Sequence, residues 1–413
     1  MAQMSRRIAY VSSRYPVLSE AFIIREVLAL QRAGVEVSVF SLKRPHDDLV
    51  NRDLEQICGT VYWTPHLASW ALLSDNLVTF LRSPVPYLTT ALANAWRLRH
   101  YPVQALKVLG LFPKMIHYSR EIRRQGFRGI NGCWANLPTL LASVAKRFFD
   151  IPYCMTCRAW DIFVPMNQLD LPQKLSTADV VRANSGAAAQ FVKQFCASVE
   201  DERKIRCVYN PYDVDSIRRR DNLPTGTPRI VAGGSLVEQK GLTYLLDAAA
   251  LLETRGVSCR MEIVGEGPLR GALEAQRARL GLEESVEFVG TLPNHVLMEK
   301  IALATAFVLP SVHAATGEMD GIPNVLIESL SLGVPVVSTS ISGIPELVED
   351  GVTGLLAPPN DAEHLADAIQ RLISDPELQR RFGVEGRRRV ESMFEMSRNA
   401  QELIEIYEAG GLL

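Results

Sequence analysis

The segment RIVAGGSLVEQKGLTYLLDAAALLETRG, residues 229–256, contains the pattern that decides the fold. A short apolar run at 229–232 is typical of a buried strand, and a glycine-rich loop joins it to an apolar helix that Gly256 closes. The same alternation of strand and helix continues to residue 356. Repeated units of this length predict a parallel sheet with helices on both faces, which is a doubly wound α/β domain.

Short apolar runs bounded by turn residues predict the strands of the chain. In the second half they lie at 229–232, 261–264, 286–289, 306–309, 334–338 and 354–356. In the first half they lie at 8–12, 35–40, 129–134, 153–156, 180–183 and 205–209. Helices are predicted between the strands and, near the C-terminal end, at 362–374, 376–393 and 397–409.

The length of 413 residues exceeds that of one ordinary hydrophobic core and predicts two domains. The first is expected at 1–212, with a helical insertion at about 67–128 where aromatic and cationic residues interrupt the strand–helix pattern. The second is expected at 213–392, followed by a terminal helical segment at 393–413. A polar stretch with three prolines, 210–228, is interpreted as the linker between the two domains.

The composition argues against several classes of protein. A formal net charge of −2 indicates no general affinity for nucleic acid, although the stretch from 97 to 128 holds eight Lys/Arg residues against one acid, Glu121. The N-terminus lacks the pattern of a signal peptide, and no apolar stretch is long enough to span a membrane. We therefore expect a cytoplasmic protein whose basic stretch 97–128 is a candidate for peripheral contact with the inner face of the membrane. A solvated helical face with core aromatics is the alternative.

An odd and scattered set of seven cysteines predicts no disulfide framework. Cys154 and Cys157 form a C-x-x-C pair, but the sequence has no second pair for a zinc site. The pair also begins in a predicted strand, whereas a thioredoxin-like motif would open a helix. We expect two packed thiols with no metal or redox role.

Two glycine-rich loops follow predicted strands and contain candidate binding residues. In the first, Gly234 and Ser235 precede Lys240; glycines let backbone amides approach an anion, and the lysine adds a full charge. A tight turn with a surface lysine is the alternative. The second loop, Gly265-Glu266-Gly267-Pro268, lacks the spacing of a dinucleotide fingerprint, and a turn is favoured there.

A third loop, Asp320-Gly321-Ile322-Pro323-Asn324-Val325-Leu326-Ile327-Glu328, carries the strongest indication of a binding site. Pro323 suits a helix start, which leaves the amides of Asn324, Val325 and Leu326 unpaired and ready for a phosphate. Asp320 and Glu328 would then lie on either side of a bound diphosphate and accept hydrogen bonds from hydroxyl groups. In the alternative, Asp320 shapes the turn and Glu328 is solvated.

Taken in order, these motifs resemble the C-terminal half of the retaining glycosyltransferases of family 4, which have the GT-B fold. The matching residues are Gly234-Ser235-Leu236, Lys240-Gly241, Gly265-Glu266-Gly267-Pro268, Pro310-Ser311, Asp320 and Glu328. The match covers about residues 229–360. It implies two Rossmann-like domains that face each other across a cleft. It also implies a site for a UDP- or GDP-sugar donor on these residues and on the segment 320–326, with no metal or other cofactor.

The first half is similar to a narrower group, the colanic-acid and exopolysaccharide type. The segments that carry this resemblance are Tyr15-Pro16-Val17-Leu18-Ser19-Glu20-Ala21-Phe22-Ile23 and Trp160-Asp161-Ile162-Phe163. The resemblance implies that Ser19, Glu20 and Asp161 contact the acceptor. It also implies that the last helix returns to the first domain.

Two positions depart from the family pattern. Ser235 stands where the family has an arginine, and Arg158 stands where it has a histidine near the reacting sugar. Our hypothesis is that Arg158 reaches into the cleft and partly replaces the missing charge. The predicted catalytic residues are therefore Lys240, Asp320, Glu328 and Arg158.

The resemblance implies transfer of a hexosyl-type sugar, with retention, from a nucleotide-diphosphate donor to a glycan or lipid-linked acceptor, in exopolysaccharide or cell-envelope glycan biosynthesis. Three alternatives share these motifs: transfer to a small-molecule or natural-product acceptor, non-hydrolysing 2-epimerisation of a sugar nucleotide, and nucleotide-sugar binding without catalysis. The first would be favoured if the protein failed to sediment with anionic vesicles. The second would be favoured by epimer formation without an acceptor, and the third by binding without donor turnover.

Overall fold

The computed structural model describes residues 6–17, 20–44, 60–63 and 69–413. The chain divides into two compact units, Met1–Tyr212 with Met396–Leu413, and Asp213–Glu395. We call them the first and the second unit. Residues 393–395, which were expected to belong to the terminal segment, lie in the second unit.

The first unit contains a seven-stranded sheet in its described part, in the order β3-β2-β1-β4-β5-β6-β7, and every neighbouring pair is parallel. The strands are β1 (Arg7–Arg14), β2 (Glu36–Lys43), β3 (Val61–Trp63), β4 (Gly129–Gly132), β5 (Tyr153–Cys157), β6 (Val180–Ala183) and β7 (Ile205–Cys207). The sequence did not predict β3, which has three residues and lies at the edge of the sheet.

The helices of the first unit cover both faces of this sheet, as a parallel sheet requires. They are α1 (Ala21–Arg32), α2 (Trp70–Arg82), α3 (Pro84–Arg97), α4 (Pro102–Arg124), α5 (Leu137–Phe149), α6 (Trp160–Phe163), α7 (Leu171–Thr177), α8 (Gly186–Lys193), α9 (Val199–Arg203) and α17 (Met396–Ala409). The terminal helix α17 buries Leu403, Ile404 and Tyr407 in the core of this unit. Glu20 is the N-cap residue of α1, without a side-chain capping bond. Ser19, which was expected to contact the acceptor, lies outside the described residues.

Helices α2, α3 and α4 form the insertion. Its aromatic residues divide into two sets, because Phe112 and Tyr118 are buried whereas Trp70 and Trp96 are exposed. The interpretation of the aromatics as core residues is therefore correct for the first pair and wrong for the second. Among the described helices, none combines the length and the apolar composition needed to cross a membrane.

The second unit contains a six-stranded parallel sheet in the order β10-β9-β8-β11-β12-β13. Its strands are β8 (Arg229–Gly233), β9 (Arg260–Val264), β10 (Val286–Gly290), β11 (Ala306–Leu309), β12 (Val336–Thr339) and β13 (Gly354–Ala357). Its helices are α10 (Leu242–Thr254), α11 (Arg270–Leu280), α12 (Asn294–Ala302), α13 (Asn324–Ser331), α14 (Ile344–Leu347), α15 (Ala362–Ser374) and α16 (Pro376–Phe394). The prediction of two doubly wound α/β domains is confirmed.

The order of strands in the second unit reverses between β8 and β11. At such a point the loops after the two strands leave in opposite directions and open a crevice, where ligands of doubly wound domains bind. The three loops singled out in the sequence follow β8, β9 and β11. They therefore all lie at the carboxyl edge of one sheet, and two of them flank the reversal.

The polar stretch 210–228 does not act as a free linker. The backbone amide of Arg220 donates to the carbonyl of Leu332 over 2.9 Å, and Arg387 donates to the carbonyl of Ile217 over 2.7 Å. Both bonds tie the part after residue 212 to the second unit. The boundary between the two units, after Tyr212, lies within the stretch predicted as the linker.

Candidate functional site

The two glycine loops of the second unit are packed backbone against backbone. Gly265 has φ +135°, and a Cβ atom there would lie 1.9 Å from the carbonyl oxygen of Gly234. A Cβ atom on Gly267 would lie 2.6 Å from the carbonyl oxygen of Leu236. The amide of Leu236 donates to the carbonyl of Glu266 over 2.9 Å. These glycines are therefore required by the contact between the two loops, which agrees with the interpretation of the second loop as a turn.

A second close contact joins the β8 loop to the loop after β11. Gly241 has φ +63°, and a Cβ atom there would lie 1.8 Å from the carbonyl oxygen of Pro310. The amide of Val312 donates to the carbonyl of Gln239 over 2.9 Å, and the amide of Ala315 donates to Oε1 of Glu238 over 3.0 Å. The crevice at the strand reversal is thus lined by loops that hold each other in place.

Three predicted donor-site residues meet in this crevice. The ammonium of Lys240 lies 2.7 Å from Oδ1 of Asp320, and the hydroxyl of Ser311 donates to Oδ2 of the same carboxylate over 2.7 Å. The stem of Lys240 passes over Gly234, where a Cβ atom would lie 3.3 Å from its Cε atom. Lys240 and Asp320 are mostly buried, and Ser311 is fully buried. Lys240 is therefore not a freely solvated surface lysine.

The pairing corrects one part of the expectation for Asp320. The sequence placed Asp320 on one side of a bound diphosphate, where it would accept hydrogen bonds from hydroxyl groups. The structure engages both of its carboxylate oxygens, one with Lys240 and one with Ser311. Asp320 therefore fixes the position of the ammonium, because a charged hydrogen bond is short and directional. The remaining predicted residues of the β9 loop are less central, since the exposed Glu266 carboxylate accepts from Arg270.

The start of α13 is close to the expectation, with two differences. Pro323 is the N-cap residue, and Asn324 begins the helix. The amide of Leu326 donates to the carbonyl of Pro323 over 3.0 Å, so it is not one of the unpaired amides that were predicted. Glu328 is 5% exposed, so the interpretation of Glu328 as a solvated residue is wrong. A carboxylate held this deep beside a ligand crevice suits the recognition of hydroxyl groups.

Arg158 does not act as a free cation in the first unit. Its guanidinium is 2% exposed and lies 3.2 Å from Oε2 of Glu26, which also pairs with Arg182 over 2.5 Å. Arg158 also donates to Oδ1 of Asn210 over 2.7 Å and to the carbonyl of Cys133 over 3.0 Å. The charge of Arg158 is thus compensated inside its own unit, and its replacement of the charge missing at Ser235 stays a hypothesis.

The partner of the two arginines was missed by sequence reasoning. Glu26 is fully buried on α1, where its neighbours in the helical pattern are apolar. Burial alone would raise the pKa of its carboxyl, but the guanidinium groups of Arg182 and Arg158 hold it below the ordinary value. Tyr10 donates to Oε1 of Glu26 over 2.8 Å and lies 2.8 Å from the hydroxyl of Tyr407. A glutamate on the apolar face of a helix was the available signal.

Two of the residues expected to contact the acceptor, Glu20 and Asp161, make contacts inside the first unit. Asp161 is fully buried, and it accepts hydrogen bonds from the amides of Ala135, Arg158 and Ala159 over 2.6, 3.2 and 3.0 Å. Burial raises the pKa of its carboxyl, against the effect of these amides. Glu20 accepts from the indole of Trp134 over 3.3 Å. The carboxylate of Asp161 therefore shapes the loop before α6, and its contact with the acceptor stays a prediction.

The C-x-x-C pair behaves as two packed thiols. Cys154 and Cys157 are fully buried on β5, and their odd spacing places them on opposite faces of the strand. Burial raises the pKa of Cys154 to about 12 and that of Cys157 well above its ordinary value. In the ranges that the structure describes, no three His, Cys, Asp or Glu side chains come together as a metal site.

These thiols should be unreactive until the first unit unfolds. We expect a thiol reagent to modify Cys154 and Cys157 at least about a hundredfold more slowly in the native protein than in urea. Burial removes both the reactive thiolate form and the access of the reagent to the sulfur. The exposed Cys207 serves as the internal control and should react quickly in both conditions. Peptide mapping by mass spectrometry distinguishes the sites. Rapid native labelling of Cys154 would show that the strand opens and that the thiol is available for redox chemistry.

Comparisons with known proteins find a family likeness in the second unit. Residues 213–389 match the model of the family Glycosyl transferases group 1. The chain is 37% identical over 180 residues to the amylovoran biosynthesis glycosyltransferase AmsK of Erwinia amylovora. This alignment covers 44% of this chain and 44% of AmsK. Over 146 residues the chain is 41% identical to WcaL of Escherichia coli, named as a colanic acid biosynthesis glycosyltransferase, covering 35% of this chain and 36% of WcaL. Both matches therefore span less than half of these relatives.

The fold is shared over the whole chain. The crystal structure of Anabaena Alr3699/HepE in complex with UDP matches with a TM-score of 0.71 at 18% identity, covering 98% of this chain and 100% of that one. Together with the two parallel sheets, this likeness confirms the expected GT-B fold.

Proposed function

We propose that this chain, whose second unit carries a Glycosyl transferases group 1 domain, is a glycosyltransferase that uses a nucleotide-diphosphate sugar. The observation that carries the proposal is the convergence of Lys240, Asp320 and Ser311 at the strand reversal, beside the start of α13. A cation and a helix N-terminus on one crevice are what a diphosphate needs. No metal or other cofactor is part of the proposal.

In this proposal Lys240 and the first amides of α13 bind the diphosphate of the donor. A diphosphate carries more negative charge than one carboxylate, so it draws the ammonium away from Asp320 or shares it. During transfer the bond between the anomeric carbon and the diphosphate oxygen breaks, and negative charge grows on the leaving group. Groups that are fixed beforehand around that charge lower the barrier, because they need not reorganise.

Glu328 is assigned to the ribose hydroxyls of the donor and Asp320 to the position of Lys240 and of the sugar. The acceptor hydroxyl forms the new bond to the anomeric carbon, and its proton passes to the leaving phosphate, with retention of configuration. The acceptor is proposed to be a glycan or a lipid-linked glycan in exopolysaccharide or cell-envelope biosynthesis, as the names of AmsK and WcaL suggest. The protein would work in the cytoplasm, with peripheral contact at the inner face of the membrane.

A nucleotide screen tests the donor part of this proposal. Because a ligand that binds only the native state stabilises it, UDP, GDP or ADP should raise the melting temperature of the protein. At 100 times the dissociation constant the stabilisation is about 2.7 kcal/mol, which is readily measured. The nucleoside monophosphates serve as controls, since they lack the second phosphate that Lys240 would bind. If no diphosphate stabilises the protein, or if the monophosphates do so equally, the proposed site is wrong.

A further inference from the structure

The insertion carries an unusual concentration of exposed apolar side chains. Of the eighteen large apolar side chains that are exposed among the described residues, twelve lie between residues 70 and 109. They are Trp70, Leu73, Leu77, Leu81, Val85, Leu88, Leu92, Trp96, Tyr101, Val103, Leu106 and Leu109. Contiguous apolar surface on this scale is rare on a soluble monomer, and it marks an interaction surface.

These side chains form a stripe on each of the three helices. On α2 they occupy positions i, i+3, i+7 and i+11 from Trp70, and on α3 the same positions from Val85. That spacing places them on one face of each helix. The buried residues Leu72, Asp75 and Thr79 lie on the opposite face of α2, and Asn94 lies opposite the stripe of α3. Each helix is therefore amphipathic with its apolar face outward.

The opposite faces of α2 and α4 are already fixed to each other. The buried carboxylate of Asp75 pairs with Arg124 over 2.6 Å and with Nδ1 of His117 over 2.7 Å. The amide of Asn76 donates to the carbonyl of Pro113 over 3.0 Å. These buried polar contacts fix the orientation of the helices, because rotating a helix would break them. The apolar stripes are therefore held outward. The pairing also engages Arg124, one of the cations of the basic stretch.

The charge around the stripes has a single sign. Between residues 76 and 120 the sequence has six Lys/Arg residues and neither Asp nor Glu. The cations are Arg82, Arg97, Arg99, Lys107, Lys114 and Arg120. Arg97 pairs with Asp170 over 3.1 Å and Arg120 with the buried Asp75 over 3.4 Å, which leaves Arg82, Arg99, Lys107 and Lys114 for the outward face. Arg99 lies over the exposed ring of Trp96, with its Cζ atom 5.1 Å from the ring centroid. Cationic side chains beside exposed leucine and tryptophan are the composition of helices that lie in the interface of an anionic bilayer.

We propose that the outward face of α2, α3 and the first turns of α4 docks into the surface of a bilayer rich in anionic lipid. It rests on the proposed function in one respect, since it locates the peripheral membrane contact on this face, which overlaps the basic stretch 97–128 at residues 97–109. The leucines and tryptophans enter the boundary between headgroups and acyl chains, and the cations contact the headgroups. A partner protein with a neutral surface would make no use of the cations on this face. A second copy of this face would place cations against cations.

Vesicle binding with a matched control tests the proposal. The wild-type protein should sediment with vesicles containing phosphatidylglycerol and at least about tenfold less with pure phosphatidylcholine vesicles. Changing Leu77, Leu88 and Leu92 together to glutamate should reduce binding to the anionic vesicles at least about tenfold, since apolar insertion and charge are both lost. The control is Leu303→Glu, at an exposed leucine of the second unit. This change should leave binding as in the wild type.

Two further readouts decide the outcome. The emission of the exposed Trp70 and Trp96 should shift to shorter wavelength on anionic vesicles, as expected when an indole leaves water. Nucleotide binding by the triple variant should be unchanged, so loss of vesicle binding with intact nucleotide binding separates this proposal from the proposed function. Equal binding to both kinds of vesicle would overturn the proposal. So would a lipid-free dimer of the wild type that the triple variant abolishes, because a second copy would then cover the face.

Discussion

Replacing Glu26 by glutamine should lower the free energy of unfolding of the first unit by about 3–5 kcal/mol. The amide keeps the size of the side chain but removes the carboxylate that compensates Arg158 and Arg182. Both guanidinium groups are almost completely buried, so water cannot replace the lost charge. Breaking a buried ion pair from one side is costly because the remaining charges stay desolvated.

The five tryptophans of the chain all lie before residue 161, in the first unit. Urea unfolding followed by tryptophan fluorescence therefore reports this unit. The control is Glu36→Gln, which breaks the half-exposed pair with Arg7 at 2.8 Å and should change the stability by less than about 1 kcal/mol. An equally small effect of Glu26→Gln would mean that the buried arginines do not depend on Glu26.

The same variant has a predicted signature against pH. The pKa of Glu26 is lowered in the folded protein, from an ordinary value of 4.5. Its stabilising contribution is therefore complete above that value and is lost as the pH falls through the lower, native pKa. Glu26→Gln should remove this part of the acid sensitivity, so the two proteins converge in stability towards low pH.

Replacing Gly241 by alanine should disrupt the donor loops of the second unit. A Cβ atom at this position would lie 1.8 Å from the carbonyl oxygen of Pro310, and the backbone has φ +63°. The left-handed conformation alone costs an alanine about 1–2 kcal/mol, and the backbone clash adds about 1–3 kcal/mol or more. We expect faster hydrogen exchange in β8, the following loop and α10, together with loss of nucleotide binding.

Gly281→Ala provides the matched control. Gly281 has φ +73°, close to that of Gly241, but nothing lies within 4 Å of a Cβ atom there. This change should cost about 1–2 kcal/mol from the backbone alone and should leave nucleotide binding intact. If the two alanine variants behave alike, the contact between Gly241 and Pro310 does not hold the site together.

The strand–helix pattern was sufficient to predict the sheets, because a buried parallel strand is a continuous apolar run that is visible in the sequence. The predicted strands lie within three residues of the observed ones, with the largest difference at the end of β2 and none for β11. β3 was missed because three residues at a sheet edge, Val61–Trp63, give no periodicity. The order of the motifs also predicted which loops of the second unit would meet.

The pairings between side chains could not be predicted in the same way. Lys240 and Asp320 are 80 residues apart, and Glu26 and Arg158 are 132 residues apart. Lys240, Asp320 and Arg158 looked like groups available to a ligand until their partners were known, and Glu26 was missed. The pairing of Arg158 with Glu26 could not be predicted, because a charge is compensated by whatever the fold brings near it, and a sequence motif does not contain that information. The outward apolar stripes of α2 and α3 were visible only when burial was known.

The assignment of Lys240 to the donor diphosphate is the central claim, and calorimetric titration of the best diphosphate from the screen tests it most directly. Lys240→Ala removes the cation and leaves Asp320 beside the ligand, so affinity should fall at least about tenfold, as for the loss of a charged hydrogen bond. Lys300→Ala breaks another ion pair of the second unit, with Glu262 at 2.5 Å, and should bind like the wild type. An affinity of Lys240→Ala within about twofold of the wild type, or an equal loss in Lys300→Ala, would contradict the account.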